Sequence, residues 1–328
     1  MNPFEYLFTN DYSNLVAYLE NGNVNVTDER GKTLLDYAIQ FQNNDIFELL
    51  IKSYININIK DNLGNTALHY AVINNRLGYL KTLIQQPLVN KNIKNNLGQT
   101  PLYLACLYGR EQMVLLFLET MKLDLSEEDE NGETVFMALI RSRNLELIEK
   151  LGGYSKLLEK KNIFGQTPLS IAVKQNSKKM VEFLLSKNVF VNTKDNFNET
   201  PLFSSFINEN KEITTLLLQK GAILNIKDKM SETIFDKPVE EEFLNYVQEK
   251  IDLLKVKDYE KLYPLHYAIY VNDESKINSY LTINYVNRVD NYGYKPLDIA
   301  KNYQNLPLIK KIEEKIKEID KTIKLKSL

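Results

Sequence analysis

Residues 98–105 read GQTPLYLA, and the same pattern of glycine, threonine, leucine and alanine recurs along most of the chain. The related stretches are GKTLLDYA (31–38), GNTALHYA (64–71), GETVFMAL (132–139), GQTPLSIA (165–172), NETPLFSS (198–205) and SETIFDKP (231–238). Their threonines, from Thr33 to Thr233, follow one another at spacings of 33, 34, 34, 33, 33 and 33 residues. A fixed period of this length indicates a stack of small repeated units.

Each position of this pattern has a mechanical reason. The threonine precedes an apolar run with helical spacing, so its hydroxyl can cap the first free amides of a helix. Proline at the next position, as in Pro101 and Pro168, suits the first helical residue because no amide donor is needed there. Leu102 and Ala105 place one large and one small side chain on one face, and the small one lets neighbouring units approach closely.

A second apolar helical stretch follows in each unit, for example Leu77 to Ile84, and then an extended link such as NINIKD at 56–61. Asp or Asn followed shortly by Gly, as in DNLG (61–64) and DNYG (290–293), supplies the residues of a turn. Each unit is therefore predicted to be two short antiparallel helices followed by a β-hairpin-like turn.

The pattern resembles the ankyrin repeat, whose signature is T-P-L-H-x-A at a period of 33 residues. The resemblance extends from about Asp28 to about Gln304, and it continues without the threonine at Tyr263 and in YKPLDIA, which ends at Ala300. It implies an all-α repeat solenoid of about nine helix-turn-helix units, capped by helices at both ends. It also implies that the first helices and the hairpin tips form a concave protein-binding face.

The prediction divides the chain into an N-terminal capping helix pair (1–27), six regular repeats (28–227), a degenerate repeat (228–257), two further repeats (258–304) and a C-terminal capping helix (305–328). The degenerate repeat is expected because Pro238 stands at the alanine position, where proline disfavours a helix interior. A hinge or a specialised pocket is the alternative there. Isoleucines from Ile309 to Ile323 form one apolar stripe on the last helix, for which a partner-binding or self-associating helix is the alternative to a cap.

Composition argues against several other classes of partner. The formal net charge is −2, so no global field favours nucleic acid or an anionic membrane. The apolar runs are far shorter than the roughly 20 residues of a membrane span, and the N-terminal sequence has no pattern of a secretory signal. We therefore predict a cytoplasmic protein, monomeric and not inserted in a membrane, with delivery into a host cell as an open alternative.

No motif of the sequence indicates an active site, a metal site or a cofactor site. His69 and His266 occupy the histidine position of the repeat, where the resemblance implies a structural role that ties the turn to the helix start. Cys106 is expected to be a small buried hydrophobe, and the glycine pair at 152–153 lacks the downstream Lys-Ser/Thr of a phosphate loop. The acidic run at 127–130 is interpreted as a solvated hairpin face, with an acidic patch for a basic partner or catalytic carboxylates as alternatives.

The hairpin tips carry the main functional signal. Surface turns usually favour polar residues, yet the positions before the turn glycine or its replacement hold Leu63, Leu97, Phe164, Phe197, Met230 and Tyr292. By the family register, Asn65, Gln99, Gln166, Glu199 and Tyr294 lie beside the tips, and Phe41, Tyr108, Lys174, Tyr270 and Tyr303 lie along the first helices. Aromatic residues with polar neighbours are typical of protein interfaces. The alternative is that the tip side chains fold back and staple adjacent hairpins together.

These observations predict a noncatalytic module that binds another protein through the concave face and the hairpin tips. The candidate contact residues are the six tip residues together with Tyr108, Tyr270 and Tyr294. A secreted or anti-host effector that blocks a target enzyme with the same surface is the alternative, and it rests on family analogy. An enzyme with a cryptic pocket near residues 233–263 is a more remote one.

Overall fold

The computed structural model describes residues 2–9, 11–53, 55–254, 263–290 and 294–326. Helices account for most of these residues, and isolated antiparallel bridges join Thr27 to Thr33 and Glu128 to Thr134. The chain forms two compact units, Met1–Ile163 and Phe164–Leu328. The predicted all-α repeat architecture with hairpin-like turns is confirmed.

The first unit contains five helix pairs. Its helices are α1 (Pro3–Phe8), α2 (Tyr12–Asn21), α3 (Leu34–Phe41), α4 (Asn44–Lys52), α5 (Ala67–Ile73), α6 (Leu77–Ile84), α7 (Pro101–Leu107), α8 (Glu111–Leu118), α9 (Val135–Ser142) and α10 (Leu145–Leu151), with a 3₁₀ turn at Ser155–Leu157. The first helices of the repeats, α3, α5, α7 and α9, pack side by side in chain order. Each also packs against the second helix of its own pair.

The repeat threonines start these first helices as the sequence predicts. The hydroxyl oxygens of Thr100 and Thr134 accept hydrogen bonds from backbone amides three residues later, at 3.1 Å in both helices. Thr33 forms a reciprocal capping box with Asp36, whose carboxylate accepts the Thr33 backbone N–H at 2.8 Å. Each arrangement satisfies amides that would otherwise be left unbonded in the first turn of the helix.

The repeat alanines form the contact between neighbouring first helices. Ala38, Ala71 and Ala105 are fully buried, and Leu139 holds the same position, also buried, in the repeat of Thr134. A methyl side chain leaves room for the backbone of the next helix, and the leucines around it fill the remaining space at the density of a protein interior. The core of this unit is therefore a continuous apolar layer, to which each repeat contributes one strip.

The second unit repeats this plan with one distorted repeat. Its helices are α11 (Pro168–Lys174), α12 (Lys178–Ser186), α13 (Pro201–Ile207), α14 (Lys211–Gln219), α15 (Glu241–Leu254), α16 (Pro264–Tyr270), α17 (Glu274–Tyr280), α18 (Pro296–Asn302) and α19 (Leu306–Lys326). Before α15, the expected first helix is reduced to a 3₁₀ turn at Ile234–Asp236. Lys237 is extended, as the residue before a proline usually is, so the irregularity predicted around Pro238 is present.

The ends of the chain pack onto the repeats beside them. In the first unit, Phe4 and Leu7 of α1 are buried, and α1 contacts α3. In the second unit, Ile312 and Ile319 of α19 are buried in a cluster with residues of α16 and α18. Both contacts are those expected of capping helices, while the five segment boundaries given above stay predictions.

Gly64 provides a test of the hairpin geometry. Its backbone has φ +78°, and a methyl group added there would lie 2.6 Å from the backbone nitrogen of Asn96 in the next hairpin. We expect Gly64→Ala to lower the free energy of unfolding by about 1–3 kcal/mol, measured by urea denaturation.

Gly78 is the matched control, because it lies in the first turn of α6 with no atom within 4 Å of an added methyl group. Gly78→Ala should leave stability unchanged or raise it by up to about 1 kcal/mol. Equal stability of the two variants would contradict the geometry of the hairpin stack.

Candidate protein-binding surface

Six of the hairpins are closed by the side chain of the residue that opens them. One carboxylate oxygen of Asp61 accepts the backbone N–H groups of Leu63 (2.9 Å) and Asn65 (2.7 Å), and the Asp61 N–H donates to the Asn65 carbonyl (2.9 Å). Gly64 completes the turn with its positive φ. The same two hydrogen bonds, from backbone N–H groups to one side-chain oxygen, occur at Asp28, Asn95, Asp129, Asp195 and Asp228.

The second oxygen of these aspartates is also occupied. In the first unit, tyrosine hydroxyls donate to it: Tyr37 to Asp28 at 2.6 Å, Tyr70 to Asp61 at 2.5 Å and Tyr103 to Asp129 at 3.1 Å. In the second unit, Lys174 donates to Asp195 at 3.1 Å and Lys237 to Asp228 at 2.6 Å. The hairpin aspartates are therefore committed to the fold and are not free to contact a partner.

Adjacent hairpins are joined through the backbone of their tips. In the first unit, the carbonyl of Leu63 accepts the Asn96 N–H and that of Leu97 accepts the Glu130 N–H, both at 2.9 Å. In the second unit, the carbonyls of Phe164 and Phe197 accept N–H groups of the following hairpins at 3.0 and 2.9 Å. These bonds fix the position of each tip without using its side chain.

The tip side chains are exposed. Leu63 is 64% exposed and Leu97 55% in the first unit, and Phe164, Phe197 and Met230 are 45–78% exposed in the second. Tyr292 lies outside the described residues. Backbone hydrogen bonds therefore join the hairpins at these tips, and the side chains of Leu63, Leu97, Phe197 and Met230 remain more than half exposed.

The remaining candidates differ in accessibility. Tyr108, which follows α7, is 46% exposed. Tyr270 is half-buried, and its hydroxyl donates to the Ala222 carbonyl at 2.9 Å. Tyr294 packs against the apolar cluster under α19. Tyr270 and Tyr294 thus have structural contacts of their own, and Tyr108 presents more of its ring to solvent.

The residues beside the tips are less accessible than the register implies. Asn65 and Gln99 are buried, and Gln166 and Glu199 are half-buried. The amide of Gln99 reaches into the next hairpin and donates to Asp129 at 3.3 Å. The expectation that these positions carry contact residues is wrong for Asn65 and Gln99, because the following hairpin covers them.

The acidic run at 127–130 is only partly a solvated face. Asp129 is buried as a hairpin aspartate, and Glu133 is buried in an ion pair with Arg141. The run's other glutamates include Glu127 and Glu128, which pair with Lys94 at 3.4 Å and Lys160 at 2.8 Å. The interpretation as a solvated face fits Glu127, Glu128 and Glu130, which are exposed or half-exposed, and is wrong for Asp129, which is buried in its hairpin.

His69 has the structural role that the resemblance implies. Its Nδ1 accepts the Thr66 backbone N–H at 3.0 Å, so the proton is on Nε2, which donates to the Gln99 carbonyl at 3.0 Å. The ring is fully buried, and this burial lowers its pKa to about 4. Nε2 of His266 donates in the same way to the Tyr294 carbonyl at 2.9 Å. Neither ring is placed to exchange protons with a substrate.

Other side chains that could take part in chemistry are also buried or lack the partners that they would need. Cys106 is fully buried, and burial raises the pKa of its thiol to about 12, far from that of a nucleophilic cysteine. In the part of the chain that the structure describes, no group of three or more His, Cys, Asp or Glu side chains could hold a metal ion. No helix among the described residues is long and apolar enough to cross a membrane.

Comparison with known proteins agrees with this geometry. A family model described as ankyrin repeats (three copies) matches residues 6–94, 85–158 and 152–228, which together make up more than half of the chain. The chain therefore belongs to the ankyrin-repeat family, whose repeats generally mediate protein–protein interaction. No curated protein sequence matches the chain.

Two solved structures illustrate the shared fold. The human ASB11 ankyrin repeat domain is 21% identical with a TM-score of 0.55, and the match covers 67% of this chain and 98% of that one. A chain from the structure of the Bd0816 predatory endopeptidase of Bdellovibrio bacteriovorus in complex with immunity protein Bd3460 is 23% identical with a TM-score of 0.50. That match covers 60% of this chain and 100% of the other. At these identities the likeness is one of fold alone.

The buried histidine makes stability depend on pH. The pKa of His69 is about 4 in the folded chain and about 6.5 when unfolded, so the unfolded chain takes up the proton first as pH falls. The contribution of His69 to the free energy of unfolding is complete above about pH 6.5 and is lost as pH falls towards 4. Between pH 7 and pH 5, the parent should lose about 2 kcal/mol more unfolding free energy than His69→Gln.

Urea denaturation at the two pH values measures this difference, and proton NMR follows the ring directly. The His69 ring signals should not titrate between pH 7 and pH 5.5. A midpoint near 6.5 for His69 would contradict the buried, doubly bonded neutral ring.

Proposed function

We propose that this chain is a noncatalytic ankyrin-repeat protein that binds a partner protein through its hairpin tips and the adjoining ends of its first helices. The observation that supports this most is that the backbone and the side chains of the tip residues have different roles. The carbonyls of Leu63, Leu97 and Phe197 accept amides of the next hairpin, while their apolar side chains, and that of Met230, are more than half exposed. Structure alone gives no reason for apolar side chains at such positions.

A rigid tip favours binding for two reasons. Burying one exposed leucine or phenylalanine in an interface contributes about 1.5–3 kcal/mol. The backbone of a tip such as Leu97 is already held by hydrogen bonds on both sides, so binding orders little that is mobile. Several such side chains in a row would therefore supply the apolar centre of a protein interface.

The enclosed state of the reactive groups supports the noncatalytic part of the proposal. Both nitrogens of His69 are bonded within the fold, and the Cys106 thiol is buried with a raised pKa. Catalytic groups need access to a substrate and a pKa near the working pH. His69 and Cys106 have neither access to a substrate nor a pKa near neutral pH.

Serine substitutions at the tips test the proposal. Leu63→Ser with Leu97→Ser in one variant, and Phe164→Ser, Phe197→Ser with Met230→Ser in another, should change the thermal midpoint little because the side chains are exposed. Capture of protein partners from native lysate, quantified by mass spectrometry against the parent, should fall about tenfold or more for at least one variant.

Leu88→Ser is the matched control, since Leu88 is 86% exposed but lies outside the tips. It should capture the same proteins as the parent. Undiminished capture of partner proteins by both tip variants, or an equal loss with Leu88→Ser, would contradict the proposal.

A further inference from the structure

Two neighbouring repeats of the first unit depart from the others at the start of their second helix. Ten residues after the repeat threonine, Asn43 and Asn144 cap α4 and α10, and their side-chain oxygens accept backbone amides at 3.1 and 3.0 Å. The repeats between them have Arg76 and Arg110 at this position, and α6 and α8 have no side-chain cap. The terminal guanidinium nitrogens of Arg76 donate to the preceding repeat, at the Gln42 side chain (2.6 Å) and the Gln40 carbonyl (3.4 Å). The Nε groups of both arginines are buried without a hydrogen-bond partner among the described residues.

Both features destabilise the fold locally. An arginine in place of asparagine forfeits the cap that satisfies a first-turn amide. A buried guanidinium nitrogen without a partner loses its hydration and gains nothing in return. Positions where a protein breaks its own local pattern twice are expected at functional sites. The bonds of Arg76 to the preceding repeat occupy its terminal nitrogens only, so the two missing caps and the two unpartnered Nε groups need a reason outside the packing of the repeats.

The charge of the first unit changes sign at the same two repeats. Residues 51–110 contain seven lysines and arginines against one acidic residue, Asp61, whose carboxylate is used up by its own hairpin. Residues 1–50 contain two basic and eight acidic residues, and residues 111–163 seven and eleven. Among the described residues, Lys94 is the one cation of the central segment within 4.0 Å of a carboxylate. A band of uncompensated positive charge thus lies between two acidic segments.

The exposed apolar tips fall in the same band. The four tip positions of the first unit are Arg30, Leu63, Leu97 and Asn131, so the two apolar ones belong to the two repeats with arginine caps. In each of these repeats the leucine precedes the first helix and the arginine follows it. The helix between them has seven residues in α5, which makes it about 10 Å long, so the leucine and the arginine lie beyond its opposite ends.

We propose that residues 51–110 bind a short acidic segment of a partner protein, whose carboxylates pair with Arg76 and Arg110 while its apolar side chains contact Leu63 and Leu97. This rests on the proposed function and adds the chemistry of the partner. Guanidinium groups suit carboxylates because they donate two parallel hydrogen bonds. The acidic segments on either side would repel a long polyanion, and leucines are poor contacts for a phosphate backbone, so a nucleic acid fits this surface less well than an acidic peptide.

A synthetic peptide tests this on the full chain. The probe is fluorescein-labelled Glu-Glu-Leu repeated four times, and its affinity is measured by fluorescence anisotropy at low and high salt. Peptides with Lys or Ser in place of Glu, and an oligothymidine of similar length, are the competing probes. The Glu-Leu peptide should bind at least about tenfold more tightly than each of these, and its affinity should fall as salt is raised.

Asparagine variants separate recognition from folding. Arg76→Asn with Arg110→Asn restores the caps found in the flanking repeats, which offsets the lost hydrogen bonds of Arg76 to the preceding repeat. The thermal midpoint should therefore stay close to that of the parent, and affinity for the Glu-Leu peptide should fall about tenfold or more. Lys178→Asn with Lys179→Asn, in the second unit, removes the same charge and should leave affinity unchanged. Unchanged binding by the arginine variant, an equal loss in the lysine control, or tighter binding of the Lys peptide or oligothymidine would overturn the proposal.

Failure of the acidic-segment proposal can be distinguished from failure of the proposed function. If protein capture depends on Leu63 and Leu97 but the arginine variant captures and binds as well as the parent, the tips bind a partner and the acidic specificity is wrong. If capture does not depend on the tips, the proposed function itself fails.

Discussion

The hydrogen bonds by which a side chain closes its own hairpin are the interaction on which the rest of the structure depends. At Asp61, one carboxylate oxygen holds the amides of Leu63 and Asn65. This geometry leaves the carbonyl of the tip residue pointing to the next hairpin, where it accepts an amide. Because neighbouring repeats are joined here by backbone groups, the exposed side chains of tips such as Leu63 and Leu97 are available for recognition.

The sequence was sufficient to predict this framework. The 33- and 34-residue spacing of the threonines located the start of each first helix, since a hydroxyl before an apolar run satisfies amides wherever it occurs. The Asp-to-Gly spacing located the turns, and Pro238 marked the repeat whose first helix is lost. The apolar residues at the tips were equally visible. All of these features depend on interactions within about one repeat.

Features that depend on the neighbouring repeat could not be predicted in the same way. Gln99 and Asp129 are buried because the hairpin of one repeat covers part of another, which no spacing within a repeat reveals. Arg76 and Arg110 were visible in the sequence, but their meaning required the helix caps of the flanking repeats for comparison. The fold was thus more predictable than the site, because recognition uses the positions where the repeats differ.

Site-specific photo-crosslinking tests the central claim most directly, namely that the tips of this ankyrin-repeat protein contact a partner while their backbone maintains the fold. Benzoylphenylalanine would replace Leu97 in one sample and Leu88 in another, two exposed leucines of the same unit. The account predicts a crosslinked partner protein at position 97 and little or none at position 88. Equal yields at the two positions, or a crosslink at position 88 alone, would contradict it.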